Sequence, residues 1–121
     1  MIDHVGVNVS DIEASSRFYE AALAPLGYSK LMDYSPDAVG FGAEGKPDFW
    51  LETRGNAGNV HVAILSPDRA TVNAFHEAAV AAGGTDNGPP GPRPQYHETY
   101  YGAYVLDPDG HNVEAVCHAP E

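Results

Sequence analysis

The sequence is poor in cysteine and in positive charge, and it has no long apolar run. The single cysteine, Cys117, cannot form a disulfide within the chain and fits a reducing compartment. Only 6 lysine and arginine residues stand against 17 aspartate and glutamate residues, a formal net charge of −11. Such a surface repels phosphate backbones and anionic lipids, so neither nucleic acid nor a membrane is expected as a partner.

Two further absences bear on location. No apolar run approaches the ~20 residues of a membrane span. The first residues, Met1-Ile2-Asp3-His4, lack the basic and apolar regions of a signal peptide. We therefore expect a cytoplasmic protein.

An internal repeat organises the 121 residues, which fit one compact domain. With an offset of 57 residues, nine of the 24 pairs from 4/61 to 27/84 are identical, where chance gives about one or two. The identical pairs with the most weight are His4/His61, Phe18/Phe75 and Gly27/Gly84. The repeat predicts two copies of one structural unit, a module over residues 1–57 and a module over residues 58–121.

Each repeat opens with an alternating segment that predicts a β-strand. One face of these strands is apolar and carries Val5, Val7 and Val9 in the first repeat and Val60, Val62 and Ile64 in the second. The opposite face carries one histidine in each repeat, His4 and His61. We expect the apolar faces to pack on helices and the histidine faces to point away from them.

A helix follows each of these strands. Ser10 is the predicted N-cap of the first helix, in a capping box with Glu13. Ser66 is the predicted N-cap of the second, because Pro67 suits the first helical position. Gly27 suits the end of the first helix.

The rest of each repeat must contain strands, and the local pattern predicts them over residues 39–42, 48–53, 102–106 and 112–117. The turn at residues 107–110, Asp-Pro-Asp-Gly, makes the last two strands a hairpin. His111 directly follows this turn and is expected to be exposed. Residues 88–94 are too rich in proline for a helix or a central strand and are predicted as a loop.

Three segments resemble the vicinal oxygen chelate superfamily, which includes glyoxalases, bleomycin resistance proteins and extradiol dioxygenases. They are HVGVNVSD at 4–11, HVA at 61–63 and YVLDPDGHNVE at 104–114. The last is the most specific, because a DPDG turn followed four residues later by a strand glutamate is a hallmark of the family. The resemblance implies an α+β fold in which two βαβββ modules form a cup-shaped mixed β-sheet with helices outside.

The same resemblance implies a divalent metal ion, zinc, nickel, cobalt, iron or manganese, held by His4, His61 and Glu114. Two imidazoles and one carboxylate suit such an ion and leave positions open for water and substrate. Glyoxalases have a fourth ligand, a glutamate, near the end of the first module. Glu52 matches it only after a slip of one residue, which reverses the face of a strand. Chains of this size often form homodimers, in which ligands from two chains can complete each site.

The candidate substrate-binding residues are Asn8, Trp50, Tyr96, His97 and Tyr101. Clustered aromatic side chains beside a titratable histidine suit a pocket for a small, partly apolar molecule. The same cluster also suits an aromatic contact in a dimer.

Two functions remain open on this evidence. The first is a metal-dependent lyase, isomerase or dioxygenase that acts on a small oxygenated metabolite and stabilises an oxyanion, with Glu114, Glu52 and His97 as candidate catalytic groups. The second is a binding protein of the bleomycin-resistance type, which holds a small molecule without turnover. Since only Arg54 and Arg93 are expected near the mouth of the cup, a strongly anionic substrate is disfavoured.

Overall fold

The computed structural model describes residues 1–121 and has two βαβββ modules. The first comprises β1 (Val5–Asn8), α1 (Ile12–Leu23), β2 (Ser29–Tyr34), β3 (Ala38–Ala43) and β4 (Lys46–Glu52). The second comprises β5 (His61–Leu65), α2 (Arg69–Ala81), β6 (Thr85–Pro92), β7 (Tyr101–Leu106) and β8 (Asn112–Cys117). Each module contains one four-stranded mixed sheet. The strand order is β1-β4-β3-β2 in the first module and β5-β8-β7-β6 in the second. The predicted α+β architecture is confirmed.

The valine faces pack on the helices as predicted. Phe18 and Phe75, which occupy the same repeat position, are both buried in a core of 19 residues drawn from both modules. Gly84 follows α2 at a crowded point, since a Cβ atom there would lie 2.4 Å from Val105 and 2.8 Å from Phe18. The absence of a side chain at Gly84 therefore lets the two modules share one core.

The starts of both helices differ from the prediction. Asp11 and Asp68 are the N-caps, and each accepts a hydrogen bond from the backbone N–H three residues on, at 3.1 and 2.7 Å. The predicted caps, Ser10 and Ser66, lie just before them. Aspartate caps a helix as well as serine does, and Asp11 and Asp68 lie one and two residues after the predicted caps. Neither helix is long and apolar enough to cross a membrane.

The local pattern missed two strands, β2 and β6, which lie at the outer edges of the two sheets. The loop predicted over residues 88–94 was wrong for its first part, because β6 extends to Pro92. An edge strand tolerates proline, since one side of it needs no N–H donors. The pairing of β6 with β7 shifts register between Asp86 and Gly88 and again between Gly88 and Gly91.

His111 joins the two modules, so the prediction that it is exposed was wrong. Its side chain is 2% exposed. The Nδ1 atom accepts the N–H of Val60 at 3.1 Å, so Nε2 carries the proton and donates to the carbonyl of Asn8 at 2.8 Å. These bonds place the end of β1 beside the start of β5. His4 therefore lies at the far end of β1, about 13 Å along the strand from Asn8.

The turn at residues 107–110 also binds the first module. Asp107 accepts a hydrogen bond from the hydroxyl of Tyr19 at 2.5 Å. Asp109 accepts from Ser10, at 2.6 Å from the hydroxyl and 3.1 Å from the backbone N–H. Burial, and then the carboxylate of Asp107, raise the pKa of Tyr19 well above 10. The segment that resembles the family hallmark thus has a structural role between the modules.

Candidate metal and substrate site

The histidine face of the second sheet carries a buried carboxylate. Glu114 on β8 is 1% exposed, and its neighbour on β5 in the parallel register is Ala63. His61 lies two residues before Ala63 and so projects from the same face of the sheet. The Nε2 atom of His61 lies 2.7 Å from Oε1 of Glu114. The repeat histidine and the strand glutamate are thus in direct contact.

The second oxygen of Glu114 also has a partner, which is the hydroxyl of Tyr100. Gly102 lies between them, and a Cβ atom there would be 3.3 Å from both Glu114 Oε2 and the Tyr100 ring. Burial, and then the bond to Glu114, raise the pKa of Tyr100 well above its usual value. Burial also raises the pKa of Tyr104, which pairs with Glu114 in the β7–β8 register. Both phenols therefore stay protonated over the ordinary pH range.

His4 has different surroundings from His61. Its side chain is 60% exposed, and Nδ1 lies 2.7 Å from a carboxylate oxygen of Asp3. Lys46 lies 2.6 Å from the other oxygen of Asp3, and the hydrogen bond from Lys46, followed by that from His4, lowers the pKa of Asp3 to about 2. No three histidine, cysteine, aspartate or glutamate side chains of the chain converge to hold a metal ion. Of the three predicted ligands, the chain brings together His61 and Glu114.

His4 and His61 both border one cleft, a cavity of about 400 Å³ that is lined by residues of β1 and β5. They lie at opposite ends of it, because the His111 bridge sets the end of β1 against the start of β5. The imidazole nitrogen and carboxylate oxygen of His61 and Glu114 fit a borderline divalent ion as two of its ligands. A complete site needs at least one further donor.

The register of the first sheet shows what stands in place of a second glutamate. Gly6 pairs with Trp50 as Ala63 pairs with Glu114, and Gly6 and Ala63 are 57 residues apart. Trp50 is therefore the counterpart of Glu114 in the first module. Glu52 lies two residues further on, on the same face of the sheet, where its carboxylate would be 3.0 Å from a Cβ atom on Gly6.

Trp50 forms a flat aromatic surface on the first sheet. Its indole lies against Gly40, where a Cβ atom would be 2.8 Å from the ring. The ring of Tyr34 is parallel to it within 3°, with the ring centroids 6.3 Å apart. Glu52 is bound by Arg54 at 3.0 Å. The first sheet thus presents aromatic rings and one ion pair where the second presents the His61–Glu114 pair.

The other predicted substrate-binding residues divide between the two faces. Tyr96 packs its ring on Tyr100 at 5.2 Å, and His97 lies on the same segment, exposed, with Nδ1 accepting the N–H of Thr99. Tyr101 is the exception, because its hydroxyl donates to Asn73 of α2 at 2.7 Å. Neighbouring strand residues face opposite ways, so Tyr101 lies on the helix side and does not reach the cup.

Asn8 lies on the histidine face of β1, but its side chain has a local partner. Its Oδ1 atom accepts the backbone N–H of Gly55 at 3.0 Å, and a Cβ atom on Gly55 would be 2.7 Å from the amide nitrogen of Asn8. The side chain therefore fixes the segment that follows β4.

Three contacts on the histidine face of the second sheet were not predicted. Tyr100 donates to Glu114, Tyr104 pairs with Glu114, and Arg93, which was expected near the mouth of the cup, lies over the Tyr104 ring at 5.5 Å. The sequence did hold a signal for the tyrosines. Alternation places positions 100, 102 and 104 on one face, and the hairpin at 107–110 sets position 104 opposite Glu114. The sequence held no equivalent signal for the contact of Arg93 with Tyr104, because that contact depends on the register shifts of β6.

Comparison with known proteins agrees with this geometry. Residues 4–116 match the family described as a glyoxalase-like domain. A glyoxalase/bleomycin resistance protein from Albidiferax ferrireducens T118 is 30% identical, with a TM-score of 0.79 over 95% of this chain and 96% of that one. None of the curated proteins matches the sequence significantly.

Two more distant structures share the fold alone. Lactoylglutathione lyase from Agrobacterium tumefaciens is 19% identical, with a TM-score of 0.71 over 97% of this chain and 92% of that one. TioX from Micromonospora sp. ML1 is 15% identical, with a TM-score of 0.75 over 98% and 99%. The fold is therefore that of the glyoxalase, bleomycin resistance and dioxygenase class. Within that class, the chain belongs to the glyoxalase-like family.

Proposed function

We propose that the protein is a metal-dependent enzyme of the glyoxalase and dioxygenase type, a lyase, isomerase or dioxygenase for a small oxygenated metabolite. The observation that carries the proposal is the buried Glu114 carboxylate, held between His61 and Tyr100. A carboxylate that is 1% exposed needs polar partners, and its contact with an imidazole matches a metal-ligand pair.

The third ligand, His4, comes from a second copy of the chain in this proposal. Within one chain His4 lies at the wrong end of the cleft, and its imidazole is 60% exposed and open to another molecule. A homodimer in which the first sheet of one copy faces the second sheet of the other would bring His4 to His61 and Glu114. The bound ion, which could be zinc, nickel, cobalt, iron or manganese, would supply Lewis-acid stabilisation of an oxyanion.

The protein's own side chains have definite tasks in such a site. Tyr100 occupies one oxygen of Glu114 and so leaves the other facing His61. The parallel rings of Trp50 and Tyr34 would form an apolar wall on one side of the cup. Glu52, which lies 3.0 Å from the guanidinium of Arg54, and His97 are the candidate proton acceptors.

The first experiment measures metal content by mass spectrometry in the wild-type protein and in His61→Ala. We expect about one divalent ion per chain in the wild type and a loss in the variant, because removal of a direct ligand leaves too few donors. His76→Ala is the matched control, since His76 lies on α2 and is bound to Asp86 at 2.9 Å. A wild type that stays metal-free after reconstitution would refute the proposal.

A complementation experiment tests whether two chains share each site. His4→Ala and His61→Ala each disable both sites of a homodimer. A purified heterodimer of the two variants would regain one complete site, because one chain still supplies His4 and the other His61. We expect one ion per heterodimer and none in either variant alone. No recovery in the heterodimer would place all ligands of a site within one chain.

The parallel Trp50 and Tyr34 rings favour a second candidate function, a small-molecule binding protein without turnover. Flat exposed rings suit a planar ligand and need no metal. Binding of such a ligand that is unchanged by chelators and by His61→Ala would support this candidate over the enzyme.

A further inference from the structure

Most cations of the chain have an acidic partner. Lys30, Lys46, Arg54 and Arg69 lie within 4.0 Å of Asp33, Asp3, Glu52 and Glu121, respectively. Arg17 has no such partner and is exposed on α1. Arg93 is therefore the one cation beside the second sheet that lacks a carboxylate partner, in a chain with a formal net charge of −11.

The surroundings of Arg93 hold its guanidinium in place. One terminal nitrogen donates to the carbonyl of Pro89 at 2.7 Å, and the group lies over the Tyr104 ring at 5.5 Å. Two glycines make this possible. A Cβ atom on Gly88 would lie 2.7 Å from the Tyr104 ring, and one on Gly91 would lie 3.1 Å from Arg93. The glycines and prolines of β6 thus hold the positively charged guanidinium of Arg93 in one position.

Arg93 borders a cleft of about 310 Å³ that also contains Asn87, Asn112 and Tyr96. The cleft adjoins the candidate metal ligands, since Asn112 pairs with His61 and Tyr104 pairs with Glu114 in the strand registers. A guanidinium has five N–H donors, and the carbonyls of Pro89 and Pro92 are its only hydrogen-bond partners in the chain. Donors remain for an oxyanion, and two side-chain amides lie beside them.

We propose that this cleft is a binding subsite for the carboxylate of a small molecule, with Arg93 as the anchoring cation. The inference rests on the proposed function in one respect, because it makes the substrate of the His61–Glu114 site a small carboxylic acid. A fork of N–H donors matches the two oxygens of a carboxylate. The rings of Tyr96 and Tyr104 would contact the apolar part of the same molecule. A single carboxylate suits the subsite, because one cation serves it.

The test is a titration of the metal-free protein, in the presence of a chelator, with acetate, lactate and benzoate. The neutral amides acetamide, lactamide and benzamide are the matched probes. NMR shifts of the Gly88 and Tyr104 amides report on the cleft. We expect saturable shifts with the acids, and binding at least tenfold weaker in Arg93→Gln, because that variant loses a charge-assisted hydrogen bond to the carboxylate. The amides should be insensitive to Arg93→Gln.

Arg17→Gln is the control, because it removes an equal charge from an exposed helix face and should leave the dissociation constants within about twofold at moderate salt. Equal binding of acids by wild type and Arg93→Gln would overturn the proposal. So would the absence of saturable shifts at Gly88 and Tyr104 with all three acids. A carboxylate from a second copy could also bind Arg93. A dimer in the wild type that dissociates in Arg93→Gln would identify that source and also overturn the proposal.

The outcome is separable from that of the proposed function, because the titration contains no metal. Carboxylate binding without any metal uptake would keep the subsite and reject the enzyme. Metal uptake lost in His61→Ala, together with no carboxylate binding, would keep the metal site and reject the subsite.

Discussion

His4 and His61 occupy the same position of the repeat, but their surroundings differ. Both imidazoles are more than half exposed, but His61 contacts the buried Glu114 whereas His4 contacts the exposed Asp3. The difference comes from the strand alongside, because β8 provides Glu114 where β4 provides Trp50. A repeat thus fixes where a side chain projects, and the neighbouring strand decides what it meets.

The shared core sets the largest expected effect. Phe18→Ala and Phe75→Ala should each lower the free energy of unfolding by about 3–5 kcal/mol, because both rings are almost fully buried. Urea denaturation measures both. Since the two positions are equivalent in the repeat, we expect similar losses. A small loss at only one of them would show that the modules contribute unequally to the core.

Glu114 in the second sheet and Glu52 in the first should differ in how much they contribute to metal affinity. Glu114→Gln should weaken metal affinity by more than the roughly 100-fold that marks the loss of an outer-shell partner. Glu52→Gln should change it by less than about threefold, because Glu52 lies two residues beyond the position equivalent to Glu114. Competition titration with a chromophoric chelator compares the two. Equal losses would make Glu52 a fourth ligand.

Tyr100 should affect metal affinity through its hydrogen bond to Glu114. Tyr100→Phe removes the hydroxyl that donates to Glu114 and should weaken metal binding about 10- to 100-fold. Tyr96→Phe is the control, because the Tyr96 ring packs on Tyr100 without a bond to Glu114. The same titration serves here. An unchanged affinity in Tyr100→Phe would leave this hydroxyl with a structural role only.

Substitution of Tyr19 and substitution of its repeat counterpart, His76, should have different effects on stability at high pH. Tyr19→Phe leaves Oδ2 of Asp107 without its hydroxyl donor and should cost about 1–3 kcal/mol near neutral pH. The pKa of Tyr19 is raised in the folded state, so the neutral phenol is favoured there. That stabilisation is complete below pH 10 and is lost as the pH rises further.

The wild type should therefore lose stability above pH 10 more steeply than Tyr19→Phe, as measured by urea denaturation at a series of pH values. His76→Phe should fall as steeply as the wild type, because its partner, Asp86, lies in its own module at 2.9 Å. Parallel curves for all three proteins would contradict the role given to Tyr19.

Much of the fold could be predicted, because its signals are local or repeated. The alternation of β1 and β5 and the turn at 107–110 predicted strands and a hairpin that the structure contains. β2 and β6 were not predicted from the sequence, because edge strands need neither strict alternation nor every N–H donor. The burial of His111 was not predicted, because it depends on Val60 and Asn8, which lie in distant parts of the chain.

By itself the sequence determined the two modules, the apolar and histidine faces of their first strands, and the turn that precedes Glu114. These follow from the two-residue period of a strand and from turn chemistry, which act between near neighbours. Only the tertiary structure decided that His61 contacts Glu114, that Trp50 takes the equivalent place in the first sheet, and that Arg93 lies over Tyr104. Each of these contacts depends on the register between strands, and register is set by the packing of the whole sheet.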